Sequence, residues 1–513
     1  MSSSTVPPSH ADDDAAHLAA LGIEDSQFKR DMGLWANFAL GFTYLSPVVG
    51  VYTLFGYALA TAGPPMWWSF VLVGIGQLLV ACTFGEVVSQ FPVAGGVYPW
   101  ARRLWGLKYA WMTGWVYMWA LVATIAAVAY GSGPYISALI GVKVGPGATV
   151  LCALLIIAIA TVFNFMGTKW LSRAAIFGFS AELLGCVAVG AYLLIAHREH
   201  GLGALVHSYG AGGHGSYAST FVAGALIAMW MYYGFEACGD VAEEVPNPGR
   251  VIPKAMRRTI YVGGASGGFI ALALVLGVTN YGDVISGKDT DPITTLLTAA
   301  FGTVGMKIIL AVVLISYLSC VLSLQAAASR LIYSYSRDKM MIGHKTLSKF
   351  WQARHIPPYS LILATAIPVI IVVFSLVSAN AVVKLISFAA AGIYVGFQMV
   401  VLAALRAHAK GWKPAGAWTM GRWGFAINAL ALTYGVAAII NMCWPRGADW
   451  GTRWVVLVGL AVVIGVGLIY MALAKPYAHG NQPWSDAIKN INIGRRPSTV
   501  AEPVLMSDET AGS

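Results

Sequence analysis

The sequence predicts an all-α membrane protein of twelve transmembrane helices, and three observations carry that reading. Of its 513 residues 58% are hydrophobic and only 11% charged, with a mean hydropathy of +0.69, whereas an ordinary soluble domain carries about 25% charged residues. Apolar stretches of roughly 20 residues, the length that crosses hydrocarbon, recur along almost the whole chain. The Lys and Arg residues collect in alternate loops. Inside lipid each backbone polar group must find its partner within the segment, so the stretches are helices. Length alone would suggest three domains, but the recurring spans argue for a single membrane domain over residues 31–475.

Residues 1–30 contain Asp12, Asp13 and Asp14 and no apolar core, so they read as a disordered cytoplasmic tail and not as a signal peptide. The first span, 34–60, is interrupted in its middle by Ser46-Pro47-Val48-Val49-Gly50; Pro removes a donor and kinks the helix, and Gly lets a ligand approach the backbone. Spans two (66–91) and three (107–130) flank a loop bearing Arg102 and Arg103. Span four (149–167) is uniform, and span five (173–196) carries an acid, Glu182, at mid-depth. Span six (218–244) contains Trp230-Met231-Tyr232-Tyr233-Gly234-Phe235-Glu236, a second Gly-and-acid interruption. Span seven (257–281) follows Arg250, Lys254, Arg257 and Arg258; its Gly263-Gly264-Ala265-Ser266-Gly267-Gly268 run suits close helix packing. That run is no phosphate loop, since no strand precedes it. Span eight (304–330) leads to Arg337 and Lys339, and spans nine to twelve fall at 359–378, 382–407, 424–443 and 453–474. Residues 476–513 complete the chain as a cytoplasmic C-terminal tail.

A cytoplasmic N-terminus places those basic loops inside and leaves Lys143, Arg198, Lys288, Lys307, Arg446 and Arg453 outside, with Lys384 at a span edge. Even span number then puts both termini in the cytoplasm. The net charge of +10 is therefore a topology signal and not a sign of nucleic-acid binding. The six cysteines (Cys82, Cys152, Cys186, Cys238, Cys320, Cys443) lie in or at the ends of spans without a Cys-x-x-Cys pair, as small apolar packers do. His197, His200, His207 and His214 share one outer loop and read as solvated. No metal or cofactor is expected, nor a soluble catalytic domain. Spans one and six open two successive five-helix sets. Pro and Gly are common in membrane helices, but matching interruptions in corresponding helices point to a solute site built from broken helices.

The stretch Glu86-Val-Val-Ser-Gln-Phe-Pro92-Val-Ala94-Gly95-Gly96-Val-Tyr98-Pro-Trp100-Ala-Arg102-Arg103 resembles the signature after helix two of the amino acid–polyamine–organocation superfamily. A second match is Gly234-Phe235-Glu236 followed by Glu243-Glu244-Val245-Pro246-Asn247-Pro248-Gly249-Arg250-Val251-Ile252-Pro253. A weaker third is Ser329-Arg330 with Ser336-Arg337-Asp338. Phe28-Lys29-Arg30, Ser46-Pro47 and Glu182 are most similar to the amino acid/choline transporter branch. The resemblance implies a five-plus-five inverted repeat of the leucine-transporter type plus two C-terminal helices, with a central site between helices one, three, six and eight. It also implies a plasma-membrane permease for an amino acid or related small amine, with protons as the coupling ion. A membrane-embedded sensor or enzyme and a channel are the rival classes.

A zwitterion in hydrocarbon needs both charges met by the protein. Free amides after a helix break suit an anion, and Val49, Gly50 and Val51 are placed for this. Carbonyls freed near Trp230 and Tyr233 suit an ammonium, as do the rings of Trp230, Tyr232 and Tyr233. The expected substrate-binding set is Ser46, Val49, Gly50, Val51, Trp230, Tyr232, Tyr233 and Gly234. The family's common Gly-Ser-Gly is here Val48-Val49-Gly50, which leaves open a solute without an α-carboxylate, such as γ-aminobutyrate, choline, ethanolamine or a polyamine. Many sodium-independent members place a Lys in helix five where this chain has Glu182. An ionised carboxylate there costs about 3 kcal/mol, so Glu182 is a proton-coupling candidate with Glu236, whose counterpart in the family couples protonation to solute movement. Trp111 sits where relatives keep a gating aromatic. Glu86, Glu243 and Glu244 are expected to pair with Arg102, Arg103 or Arg250, and exchange instead of proton symport remains open.

Overall fold

The computed structural model describes residues 18–19, 21–22, 27–141, 145–212, 216–377, 381–446, 450–480 and 482–489. Among them there is no β-strand, only an isolated bridge between Trp351 and Ile356. Among the described residues ten helices are long and apolar enough to cross a membrane, and two shorter apolar helices cover Tyr217–Met231 and Pro358–Phe374. In chain order the helices begin with α1 (Leu34–Leu45), α2 (Pro47–Ala62), α3 (Trp68–Gln90), α4 (Val97–Leu104) and α5 (Leu107–Gly131). They continue with α6 (Gly133–Ile140), α7 (Pro146–Phe165), α8 (Thr168–Ala196), α9 (Tyr217–Gly224), α10 (Leu226–Met231) and α11 (Ala237–Asp240). The remainder are α12 (Pro248–Gly277), α13 (Tyr281–Ile285), α14 (Pro292–Arg337), α15 (His344–Leu347), α16 (Pro358–Phe374), α17 (Ala381–Ala409), α18 (Gly424–Cys443), α19 (Trp450–Ala474) and α20 (Asp486–Lys489).

The first expected span is two helices. Pro47 cannot donate and its ring excludes the preceding turn, so α1 stops at Leu45 and Ser46 takes a left-handed φ of 42° before α2 restarts. Span six is likewise divided: α10 ends at Met231, residues 232–236 leave the helix, Gly234 adopts φ 123°, and α11 begins at Ala237. The 46-residue α14 exceeds a bilayer's thickness and is bent at Gly302, whose φ of 67° is non-helical.

Burial sorts the helices into centre and rim. The apolar window of α1–α2 is 94% buried and that of α5–α6 83%, against 28% for α8 and 17% for α19. The broken first span is thus the axis of the molecule. Around it, α12 packs on α3, α14 on α8 and α5, and α17 on α5. Leu184, Ile195 and Leu473 are exposed on the rim, as hydrocarbon-facing side chains are. Described residues from both expected tails lie against the bundle: buried Leu21 and Asp486 both bind Arg103 of α4, and the Ser485 amide donates to the Arg102 carbonyl at 2.9 Å. The end of the bundle where they dock is the tail face below.

Candidate functional site

The two breaks touch. A Cβ added to Gly234 would meet the backbone of Leu45, and one added to Gly50 would lie 2.6 Å from the side chain of Met231 and 2.9 Å from its Cα. Glycine at these two positions lets the end of α1 reach the gap in span six and lets α2 lie against α10. Gly50 therefore serves a helix–helix approach; the sequence suggested an approach by a ligand.

The amides expected to be free beyond the first break are engaged. Val48 N–H donates to Glu182 Oε1 at 2.8 Å, Val49 N–H to Ser46 Oγ at 3.3 Å, and Gly50 N–H to the Ser46 carbonyl at 2.9 Å. Val51 lies inside α2 and is fully buried. The Ser46 hydroxyl itself donates to Glu182 Oε1 at 2.8 Å. A carboxylate does sit at the start of α2, where the helix dipole favours negative charge, but it belongs to the protein. Glu182 is fully buried on α8 and its second oxygen, Oε2, has no hydrogen-bond partner. The sequence marked both Ser46 and Glu182 without indicating that one binds the other, since residues 136 apart leave no local signal.

At the second break Glu236 is fully buried. Its Oε1 accepts from the Tyr117 hydroxyl at 3.0 Å and its Oε2 from the Gly234 amide at 2.8 Å. The acid thus closes the gap left by its own helix and ties it to α5. Trp230 and Tyr233 meet edge-to-face at 5.5 Å, Tyr233 approaches Tyr44 at 6.5 Å, and its hydroxyl lies 3.5 Å from Thr124 Oγ1. Tyr232 departs from the expected set: its hydroxyl points at Gly74 on α3 and Gly264 on α12. Consecutive residues of a distorted turn point different ways, so its ring faces the helix packing and not Trp230. Tyr44 and Tyr117 are members of this neighbourhood that the sequence did not mark, because a Tyr in an apolar span carries no distinguishing pattern.

Trp111 is buried inside the bundle. Its indole N–H donates to the Met340 carbonyl at 2.9 Å, its own carbonyl accepts from Tyr335 at 2.5 Å, and it stacks on Trp115 at 5.3 Å. It fixes the tail-face ends of α5 and α14 to each other.

The three motifs converge on that face. Glu243 pairs with Arg337 at 2.9 Å and accepts from the Ala94 amide at 3.2 Å. Glu244 pairs with Arg330 at 2.8 Å and accepts from Thr168 at 2.7 Å. Asp338 binds both Arg102 and Tyr98, and Glu86 binds His408 at 3.0 Å and the Met420 amide at 2.8 Å. The expected pairing of Glu86, Glu243 and Glu244 with Arg102, Arg103 or Arg250 is not what forms: Asp338 holds Arg102, and Asp486 holds Arg103 at 2.5 Å. The partners of Glu243 and Glu244 come instead from the third motif, the weakest in sequence, because α14 brings its last turns beside residues 243–244. On the opposite face a cavity of about 550 Å3 is lined by Tyr57 and Thr61 of α2, Leu226 of α10, Lys384, Asn441 and Arg446. It lies along the outer halves of the same two broken helices. Among the described residues no group of three or more His, Cys, Asp or Glu is arranged to hold a metal; His214 lies outside them.

A family model described as amino acid permease matches residues 32–469. The chain is similar to the amino-acid permease BAT1 of Arabidopsis thaliana, 24% identical over 473 residues covering 85% of this chain and 89% of the relative. It is 25% identical over 450 residues to the BAT1 homolog of Oryza sativa subsp. japonica, covering 82% and 85%. With amino-acid permease 2 of Neurospora crassa it shares 23% identity over 490 residues, covering 90% and 87%.

Proposed function

The chain belongs to the amino acid permease family, and from that premise we propose a proton-coupled cycle in which the solute binds where the two broken spans meet. It is a multi-pass membrane permease for an amino acid or related small amine. The observation that carries the site is the contact of the breaks, Gly234 against Leu45 and Gly50 against Met231, with two buried acids beside them. The architecture that fits is twelve transmembrane helices in a five-plus-five inverted repeat with two more at the C-terminus, in the plasma membrane, with the tail face cytoplasmic. Solute enters from the opposite face along α2 and α10.

In the closed arrangement Glu182 and Glu236 occupy the helix ends that a charged solute needs. Glu236 held by Gly234 N–H and Tyr117 supports a role in which a proton neutralises the acid and releases those donors. Glu182 on Ser46 and Val48 acts in the same way at the first break. An arriving ammonium meets the rings of Trp230 and Tyr233. Opening toward the cytoplasm then separates Glu243 from Arg337 and Glu244 from Arg330, which hold the tail face shut.

A second reading concerns the solute. With Glu182 already at the start of α2, a solute without an α-carboxylate at that point (γ-aminobutyrate, choline, ethanolamine or a polyamine) fits as well as an α-amino acid. Exchange of one solute for another uses the same site without net proton movement. The test is uptake in proteoliposomes with an imposed proton gradient, with competition by α-amino acids, γ-aminobutyrate, choline, ethanolamine and spermidine. Saturable uptake, driven by the gradient and inhibited by one class, is expected. Non-saturable flux would point to a channel, and chemical conversion without transport to an enzyme.

A further inference from the structure

Asp240 has no role in the cycle above, yet it is fully buried and neither of its carboxylate oxygens has a hydrogen-bond partner. It ends α11 one turn after Glu236, and its amide donates to the Glu236 carbonyl at 3.1 Å. Its side chain is aimed at the turn between spans two and three. A Cβ on Gly96 would collide with Asp240 Oδ1, and the Gly95 amide donates to the Asp240 carbonyl at 3.0 Å. That turn belongs to the tail face. Asp240 thus lies between the acid of the solute site and the ion-pair cluster that closes the molecule below it.

The groups around it leave it without a countercharge. From its own segment come Glu236 and Cys238; α1 contributes Tyr44 and α5 Tyr117. On α14 Arg330 and Arg337 are taken by Glu244 and Glu243. On α4 Arg102 and Arg103 are taken by Asp338 and Asp486. On α12 Arg257 and Arg258 turn to Trp418 and Trp35. Two carboxylates one turn apart, buried and without a paired cation, disfavour double ionisation, which leaves room for one proton on either acid.

We propose that Asp240 is a second proton-carrying residue that takes the proton from Glu236 and releases it at the tail face. The O–H bond on Glu236 breaks and one forms on a carboxylate oxygen of Asp240, while the negative charge passes the other way; net charge is unchanged. Parting of the Glu243–Arg337 and Glu244–Arg330 pairs then exposes Asp240 beside Gly95 and Gly96, and the proton leaves to water. Gly96 serves this step, since any side chain there would fill the space of the Asp240 carboxylate. The proposal rests on the proton-coupled reading of the site.

The test begins with protons as the probe: infrared difference spectra of the purified protein in phosphatidylcholine vesicles, taken across pH, following the C=O stretch of protonated carboxyls. Asp240→Asn should remove one of the buried carboxyl bands and shift the titration of the one that remains. A spectrum and titration identical to the parent's would overturn the proposal. Should Asp240→Asn fail to fold, Asp240→Glu carries the same reading, with its band displaced in frequency; an undisplaced band counts against. Transport follows with radiolabelled alanine, γ-aminobutyrate and spermidine, using whichever the parent accumulates. The ratio of proton-driven accumulation to counterflow exchange should collapse in Asp240→Asn and recover in Asp240→Glu. If Glu236→Gln abolishes the pH dependence and Asp240→Asn leaves this ratio intact, Asp240 is not a carrier and the coupling reading stands. If neither substitution alters the pH profile, the coupling reading itself fails.

Discussion

Glu182 and Glu236 each use one carboxylate to hold a helix end together, and in both cases Gln keeps an acceptor oxygen while losing the ability to ionise. Glu236→Gln should therefore fold and retain its bond from Tyr117 or the Gly234 amide. Proton-coupled uptake by the parent should rise as the outer pH falls, because the loaded form carries the proton inward; in Glu236→Gln the profile should be flat. A surviving slope would move the coupling elsewhere. Glu182→Gln should lose accumulation against a gradient and retain part of the exchange, measured as counterflow; full accumulation would remove Glu182 from the cycle. Both acids were visible in the sequence as charges within apolar spans, where they are costly. Their partners were not, because hydrogen bonds from Ser46 and Tyr117 join residues more than 100 positions away and no residue-level pattern reports such distances. Tyr232 shows the converse: its place beside the break grouped it with Trp230 and Tyr233, and the distorted turn there sends its hydroxyl toward α3 and α12.

Among the elements, α1–α2 and α10–α11 carry the argument. Their interruptions were legible because Pro47 and Gly234 act through local backbone geometry: a missing donor and ring clash in one case, a φ of 123° in the other. What local geometry does not convey is that the two gaps face each other. Gly50→Leu tests that contact. The new side chain would enter the space of Met231, and overpacking of this kind costs about 1–3 kcal/mol. Insertion and monodisperse elution should persist, and uptake should be lost. Uptake at the parent's rate would show that α2 and α10 need not meet for function. The amides of Val49 and Gly50, legible as donors, turned out to be satisfied within the break itself, since a buried N–H left free is costly whenever no solute is present.

At the scale of the molecule, the broken first span forms the axis and the last two long helices form the rim. The tail face is closed by pairs that join the three sequence motifs, Arg330 with Glu244, Arg337 with Glu243 and Arg102 with Asp338. Such pairs are costly to break singly, about 3–5 kcal/mol for a buried one. Arg330→Ala should thus lower the thermal midpoint of the purified protein by several degrees and raise uncoupled leak of solute. An unchanged midpoint and tight coupling would mean that this pair does not hold the closed face. The helical, membrane-spanning character was legible from hydropathy alone, whereas motif convergence required the fold, because charge pairing across spans follows from helix packing and not from sequence spacing. The central claim is that solute lies between the two breaks, and a structure determined with the transported solute bound tests it most directly. Density touching Leu45, Ser46, Trp230 and Tyr233, with Glu236 released from the Gly234 amide, is the expected result; solute bound away from both breaks, with the Glu236 and Glu182 contacts intact, would contradict it.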